Sequence, residues 1–280
     1  MQLSPVHGST SLVDLGGDLA AIGPITIRQR RRFVAALADL DADAWTSPTR
    51  CEAWTPRDVA SHLDSATGFW TMSIRRALAG EPTRYLASFD PVSSPAEMAA
   101  ADPRPADEVL EGLAASTEAL AEVLATLVAG DWERLAEAPP GHMSISALVH
   151  HGHWDAWTHE RDVLVPLGLD VPVLNDEVEA ALRYVIALGP ALAIGHGAQH
   201  VGSVEVRASD PTVHLRVDVG DIARSTTNPE GAGEPDLVVS GDALDLVEQL
   251  SVRRPITPEV EPARAWLLGG LAAAFDQPVD

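Results

Sequence analysis

The stretch VHHGHWDAWTHERDV (149–163) carries four of the chain's ten histidines, His150, His151, His153 and His159, together with Asp155 and Asp162. Imidazole and carboxylate groups bind divalent metals and move protons near neutral pH. A helix turns about 100° per residue, so with His159 at zero, Asp155 falls at about −40°, Asp162 at about −60° and His151 at about −80°. Ile145, Leu148, Gly152, Ala156 and Val163 lie on the same side, which puts ionisable groups inside an apolar stripe. His150, His153 and Trp157 point the other way. Asp155 and His159 are separated by about 6 Å along the axis on one face, a spacing at which two side chains can grip one ion. A third ligand must come from another helix. His62 meets that need, because its own face carries Val59, Ala66 and Phe69. A buried histidine and a buried carboxylate each cost several kcal/mol unless paired or coordinated, so facing them would satisfy both. The spacing fits two arrangements: a hydrogen-bonded core cluster, or a metal site whose two His and one carboxylate leave a position open, as catalytic zinc does.

Other reactive residues carry less. The single cysteine, Cys51, reads as a small buried residue near a helix start, with a catalytic thiolate as the alternative. Trp45, Trp54 and Trp70 read as core, and the Arg30–Arg32 run as a solvated face. His196 and His200 are four apart but flanked by glycines, and are read as no site.

Four long helices can hold these residues: roughly 25–43, 56–79, 105–129 and 145–165. The second has a clear start, with Thr55 as N-cap, Pro56 in the first turn and Asp58 completing a capping box. Gly80 ends it and Gly130 ends the third. The fourth begins at Ser144 and stops before Pro166 and Gly168. Residues 81–104, rich in Pro, Ser and Asp, read as a long crossing loop. This pattern predicts a bundle. A further helix, 175–194, links it to a different kind of sequence. VGSVEVRAS (201–209) and VHLRVDVG (213–220) alternate as half-buried strands do, with Asp210-Pro211 as the turn between them. DLVVSG (236–241) reads as a third strand, followed by a short helix at 242–250.

Composition removes several function classes. With 19 basic and 41 acidic residues, the net charge is 19 − 41 = −22. A field of that sign repels phosphate backbones and anionic membrane surfaces. Every basic residue is arginine, which excludes lysine Schiff-base and P-loop chemistry. One cysteine cannot form an internal disulfide, so a reducing cytoplasm is expected. No run approaches the roughly 20 apolar residues of a membrane span, and the first residues do not read as a signal peptide. The 280 residues suit one large domain or two smaller ones, with two expected.

Three segments resemble a known family. SPTRCEAWTPRDVASHL (47–63) resembles the P-T-x-C-x-x-W-T-x-x-D-V-x-x-H-L segment of mycothiol-dependent maleylpyruvate isomerase-like proteins. DAWTHERDVLVPLG (155–168) resembles their E-x-x-x-H-x-x-D-L segment, and DLVVSGDALDLVEQLSVRR (236–254) is similar to their sterol-carrier-like C-terminal domain. The resemblance covers residues 25 to 254. It implies an α+β chain, with a DinB-like metal-binding four-helix bundle over 1–170 and a sterol-carrier-like α+β domain with its linking helix over 171–280. It implies His62, Asp155 and His159 as ligands of zinc or another divalent metal, and mycothiol as the thiol cofactor. The family usually has Glu where this chain has Asp155. Aspartate is one methylene shorter, so the ion must sit closer to the helix, or His151 takes the place.

Phe69 and Trp70 are expected to shape the inner cofactor cleft. Arg76 lies about 21 Å along the helix from His62 and is expected to hold a distal group; Arg75 and Arg84 are further candidates. No catalytic residue is assigned. The implied activity is a thiol S-transferase or a maleylpyruvate isomerase-like cis–trans isomerase, acting on a small electrophile or unsaturated acid. The transferase is preferred, because helix geometry places no arginine beside the metal. Two other readings fit the same residues: a non-catalytic ligand- or partner-binding protein, and a metal enzyme that activates water without a thiol. A cytoplasmic monomer or homodimer, without nucleic acid or membrane partners, is expected.

Overall fold

The computed structural model describes residues 5–88, 90, 93–195 and 200–275. His196, considered above, lies outside the described residues. After a short strand β1 (Val13–Asp14) come helices α1 (Ile22–Ala38), α2 (Pro56–Leu78), α3 (Ser93–Ala101) and α4 (Ala106–Thr126). A hairpin of β2 (Leu135–Ala138) and β3 (Gly141–Ser144) leads into α5 (Ile145–Leu164) and α6 (Asn175–Gly195). Strands β4 (Gly202–Ser209), β5 (Val213–Val219), β6 (Ala223–Thr227) and β7 (Leu237–Asp242) follow, then α7 (Ala243–Leu250) and α8 (Trp266–Ala274).

The chain is α+β, as expected. Helices α1, α2, α4 and α5 pack on one another as a bundle. The five-stranded sheet has the order β1-β6-β5-β4-β7, with β1∥β6 and β4∥β7 parallel and the central pairs antiparallel. Helix α6 lies between the halves, touching α5 on one side and β5, β6 and α8 on others. Its length and apolarity match a membrane span, contrary to the expectation that no run would, yet 72% of its most apolar window is buried in this fold. It is the core helix that joins bundle to sheet.

The start of α2 follows its sequence signals. Asp58 N–H donates to Thr55 Oγ1 at 3.4 Å and Thr55 N–H donates to Asp58 Oδ2 at 3.0 Å, around Pro56 at the first helical position. Ser144 caps α5 by accepting from Ala147 N–H at 3.1 Å. Several elements depart from expectation. The segment 81–104 is not all loop: Ser93, Ser94 and Pro95 start α3, and the Ala-rich run after them has high helix propensity. Strands β1, β2, β3 and β6 and helix α8 were not anticipated. The hairpin is fixed from outside, since Val6 N–H donates to Pro140 O and His142 N–H donates to Val6 O, both at 2.9 Å. Gly141, at φ +122°, presses its backbone against Val6 where a side chain would collide.

Helix α5 has no solvent face. All its residues except Asp155 are buried, because α1 and α2 cover one side and α6 the other. His150 and His153, on the side away from His159, each meet a backbone carbonyl: Nδ1 of His150 at 2.9 Å from Ser146 O, and Nε2 of His153 at 3.1 Å from Glu177 O. The arginine run is also not a solvated face. Arg32 crosses to the fully buried carboxylates of Glu160 and Glu177, at 2.7 and 2.8 Å, and Arg30 is buried. Only Arg31 lies at the surface, paired with Glu118. Arg32 sits inward because α5 and α6 bring Glu160 and Glu177 to meet it, whereas Arg30 meets the neutral Thr67 hydroxyl and Gly152 carbonyl.

Burial gives His150 a pH signature. It pushes the imidazole pKa down to about 3, against the raising effect of the Ser146 carbonyl. An unfolded histidine titrates near 6.5. Between those values the unfolded chain binds the extra proton, so stability falls as pH drops below about 6.5. At pH 5 the expected loss from His150 is about 2 kcal/mol. Urea midpoints measured between pH 7 and 5 should fall less steeply in His150→Gln than in the parent; parallel curves would contradict the assignment.

Candidate metal centre

His62 on α2 and Asp155 and His159 on α5 converge. Their ligand atoms lie within 4.8 Å of one another. His62 Nε2 is 3.5 Å from Asp155 Oδ2, and His159 Nε2 is 3.6 Å from Asp155 Oδ1. Asp155 Oδ2 is closed off from solvent yet has no hydrogen-bond partner. The imidazoles of His62 and His159 meet edge to face at 5.1 Å, and the Trp54 ring lies 5.1 Å from the first and 5.7 Å from the second. Trp54 therefore walls the cluster, which the sequence reading had placed simply in the core. Phe33, Val59, Leu63 and Ala156 form the apolar floor beneath this end of the bundle.

The other side of His159 meets a carboxylate. Its Nδ1–H donates to Asp162 Oδ2 at 3.1 Å. Asp162 is also gripped by Arg253, through Nε at 2.9 Å to Oδ1 and Nη2 at 2.7 Å to Oδ2. Arg50 Nε is 3.4 Å from the same carboxylate. Burial pushes the Asp162 pKa up, but His159 and Arg253 outweigh it and hold the group well below the usual carboxylate range. Cys51 donates to Asp162 Oδ2 at 3.3 Å, with its sulfur 3.8 Å from His159 Nδ1 and 3.7 Å from Arg253 Nη2. Cys51, His159 and Asp162 form a second set able to hold an ion. Arg253 Nη2, 2.7 Å from Asp162 Oδ2 and 3.7 Å from Cys51 Sγ, already brings a cation to two of the three. With Nδ1–H committed to Asp162, the Nε2 lone pair of His159 is the one directed at His62 and Asp155.

Asp155 is drawn the same way. Burial raises its pKa, and His62, His159 and His151 together pull it well below the ordinary range. Burial lowers the His159 pKa, but Asp162, Cys51 and Asp155 lift it to about 10.

The remaining site expectations fall elsewhere. His151 shares its Nδ1 with Tyr184 OH at 2.7 Å and is packed among Trp70, Trp154 and Tyr184, outside the converging set. Phe69 and Trp70 meet edge to face at 5.2 Å; Trp70 is buried and its indole N–H has no partner. Arg76 is half exposed and pairs with Glu81 at 3.1 Å, far along α2 from His62. Arg75 and Arg84 are exposed. His200 stacks on Trp266 at 4.8 Å.

Arg253 is the residue that sequence reasoning missed. It follows α7, where Arg253 N–H donates to Glu248 O at 2.8 Å and Val252 N–H to Gln249 O at 3.1 Å. That is a helix-ending turn that normally carries glycine in its left-handed position. Here Val252 occupies it at φ +59°, a strained conformation for a β-branched residue. The turn aims Arg253 at Asp162, while Glu248 receives Arg50 at 3.0 Å and Arg161 at 3.2 Å. Trp154 Nε1–H also donates to Ser251 Oγ at 2.8 Å. The segment after β7 thus completes a site whose other residues lie in the bundle.

Residues 27–164 match the family described as the mycothiol maleylpyruvate isomerase N-terminal domain. This part of the chain belongs to that family. Two solved structures resemble the chain beyond that domain. The mycothiol-dependent maleylpyruvate isomerase aligns with a TM-score of 0.57 at 18% identity, covering 84% of this chain and 88% of that one. A histidine-to-alanine mutant of it aligns with the same TM-score and coverage at 17% identity. At this identity the likeness is one of fold. No curated protein matches significantly. The family's domain accounts for α1 to α5, and so for the helices that bear His62, Asp155 and His159.

Proposed function

We propose that the protein is a metal-dependent enzyme that activates a low-molecular-weight thiol, mycothiol, for attack on a small electrophile. The observation that carries this is the separation of the donor atoms. Ligands 2.0–2.2 Å from a tetrahedral ion stand about 3.4 Å apart; here one donor atom from each of the three residues lies within 4.8 Å of the others, and the two oxygens of Asp155 come to 3.5 Å from His62 Nε2 and 3.6 Å from His159 Nε2. The unpartnered Asp155 oxygen fits the same reading. That Asp155 comes within 3.5 and 3.6 Å of the two imidazoles supports keeping it in the set in place of the family's glutamate. His62, Asp155 and His159 would hold zinc or a similar ion with a position open, and a bound ion would keep a coordinating thiol deprotonated at neutral pH.

The chain's own residues do the rest. Asp162 fixes the His159 ring and its tautomer, and Arg253 balances the Asp162 charge. Trp54 screens the two imidazoles. An arginine near the site is what a dicarboxylate substrate would need, and Arg253 is one that helix geometry could not place. It is held by both oxygens of Asp162, and Arg50 is shared between Asp162 and Glu248. With both guanidiniums committed, we favour thiol S-transfer over isomerisation of a dicarboxylate.

The test is to supply the metal-loaded protein with mycothiol and either maleylpyruvate or a generic electrophile. Thiol consumption with the electrophile supports the transferase. Rapid isomerisation of maleylpyruvate makes it an isomerase. Turnover with no thiol, or none at all with metal bound, refutes the reading.

Asp162→Asn probes the outer shell. Substituting the hydrogen-bond partner of a ligating histidine typically costs 10–100-fold in metal affinity. A loss of that size is expected by competition with a chromophoric chelator, and an unchanged affinity would count against the role given to Asp162.

A further inference from the structure

Arg30 differs from its neighbours on α1. Arg28, Arg31 and Arg32 each meet a carboxylate within 3 Å. Arg30 is only 2% exposed, and among the described residues it has no carboxylate at ion-pair distance. Its Nη1 donates to Thr67 Oγ1 at 2.6 Å and its Nη2 to Gly152 O at 2.8 Å, both neutral acceptors, and its Nε has no partner. Gly152 makes the approach possible, since a Cβ there would lie 3.3 Å from Arg30 Nη2 and 3.2 Å from Trp70 Cδ1. The carbonyl that Arg30 holds is three residues before Asp155 on α5. Burial lowers the Arg30 pKa to about 10, and the charge opposing that shift is Asp155. The group therefore stays cationic at neutral pH, inside the bundle, without a counter-ion of its own.

Buried charge is expensive unless neutralised. Two neutral imidazoles, one carboxylate and a divalent ion sum to +1. Arg30 raises the local total to +2. A neutral ligand at the open position leaves that excess in place; an anionic one reduces it.

We propose that Arg30 is a positioning residue of the metal centre, a buried cation without an ion-pair partner, anchored on α5 at Gly152 O about one turn before Asp155, that biases the open position toward an anionic ligand, here a thiolate, over neutral water. The proposal rests on the metal-and-thiol reading above. It has a distinctive consequence. The same charge that draws the thiolate in repels the metal, so removing it shifts the two affinities in opposite directions. A side chain that merely supports the fold would, when removed, weaken both together.

The experiment uses the full chain loaded with Co²⁺ and probed with 2-mercaptoethanol through the thiolate-to-cobalt absorption band. Arg30→Met keeps the bulk and removes the charge, and Arg30→Lys keeps the charge. Arg30→Met is expected to bind Co²⁺ as tightly as the parent or more so, and to bind the thiol at least about tenfold more weakly. Arg30→Lys is expected to recover most of the thiol affinity. A joint loss of both affinities in Arg30→Met, an unchanged thiol affinity, or no recovery with lysine overturns the proposal.

The Co²⁺-loaded parent gives a measurement that needs no variant to fold. Relative to their affinities for aqueous Co²⁺, azide should be favoured over imidazole at the site, and the reverse preference overturns the proposal. A parent chain that binds no Co²⁺ overturns the metal reading and this inference with it. A parent that binds both metal and thiol, with Arg30→Met unchanged, overturns this inference alone.

Discussion

Metal titration of His62→Ala is expected to show at least about a 100-fold loss of affinity relative to the parent chain. Outer-shell substitutions at metal sites already cost 10–100-fold, and His62 would be one of only three direct ligands. It is also the only one on α2; Asp155 and His159 both stand on α5. Without it, the remaining pair grips an ion from one side of the bundle. The variant should fold, because His62 is partly exposed and its ring meets the Trp54 and His159 rings at the edge of the core. A circular dichroism melt close to the parent's, together with the metal loss, would separate ligand removal from unfolding. Full metal stoichiometry in His62→Ala would mean that another set holds the ion, with Cys51, His159 and Asp162 as the first to examine.

The second large effect concerns stability and lies far from the metal centre. Helices α6 and α8 cross where Gly189 meets Gly270. A Cβ built on Gly270 would lie 1.9 Å from Gly189 O and 2.5 Å from its carbonyl carbon. Both colliding atoms are backbone, so no rotamer change relieves the contact, and one helix must move away from the other. Around the crossing, Leu188, Ala191, Leu267, Leu268 and Leu271 are all buried, so movement opens the core. Gly270→Ala is expected to cost at least about 3 kcal/mol, at the upper end of what overpacking does. Equilibrium urea unfolding would measure it, and a change under about 1 kcal/mol would show that the crossing adjusts cheaply.

What the sequence made legible was what short-range rules control. The α2 start could be read because Thr55, Pro56 and Asp58 act within one turn. Asp155 and His159 could be placed together because four residues on a helix fix a direction. His62 needed an apolar face on a second helix and a reason for burial. Arg253 could not be reached this way. It lies 91 residues beyond Asp162, after a turn whose left-handed residue is valine, so no glycine marked it. Strand β1 was invisible for a related reason: two residues have no periodicity, and their partner is at the far end of the chain. Arg32 was misread because a run of charges looks solvated until Glu160 and Glu177 are known to face it, and Arg30 because its acceptors, Thr67 and Gly152 O, are neutral and distant in sequence. Arg76 was chosen by its angle on α2, and Glu81 just beyond the helix end claims it instead.

The pairing of β1 with β6 has a consequence for how the molecule is made. Val13 pairs with Ala223, so 223 − 13 = 210 residues separate the first strand from its partner. At about 5–20 residues per second, a ribosome needs roughly 10–40 s to deliver that partner. Meanwhile the segments that form α1 to α5 emerge in order and can pack on one another locally. Leu12, Val13 and Leu15, which end up almost fully buried, spend that interval without the sheet edge they will cover. The strand synthesised first is therefore among the last to be placed, and the nascent chain carries a short apolar stretch uncovered until residue 223 arrives.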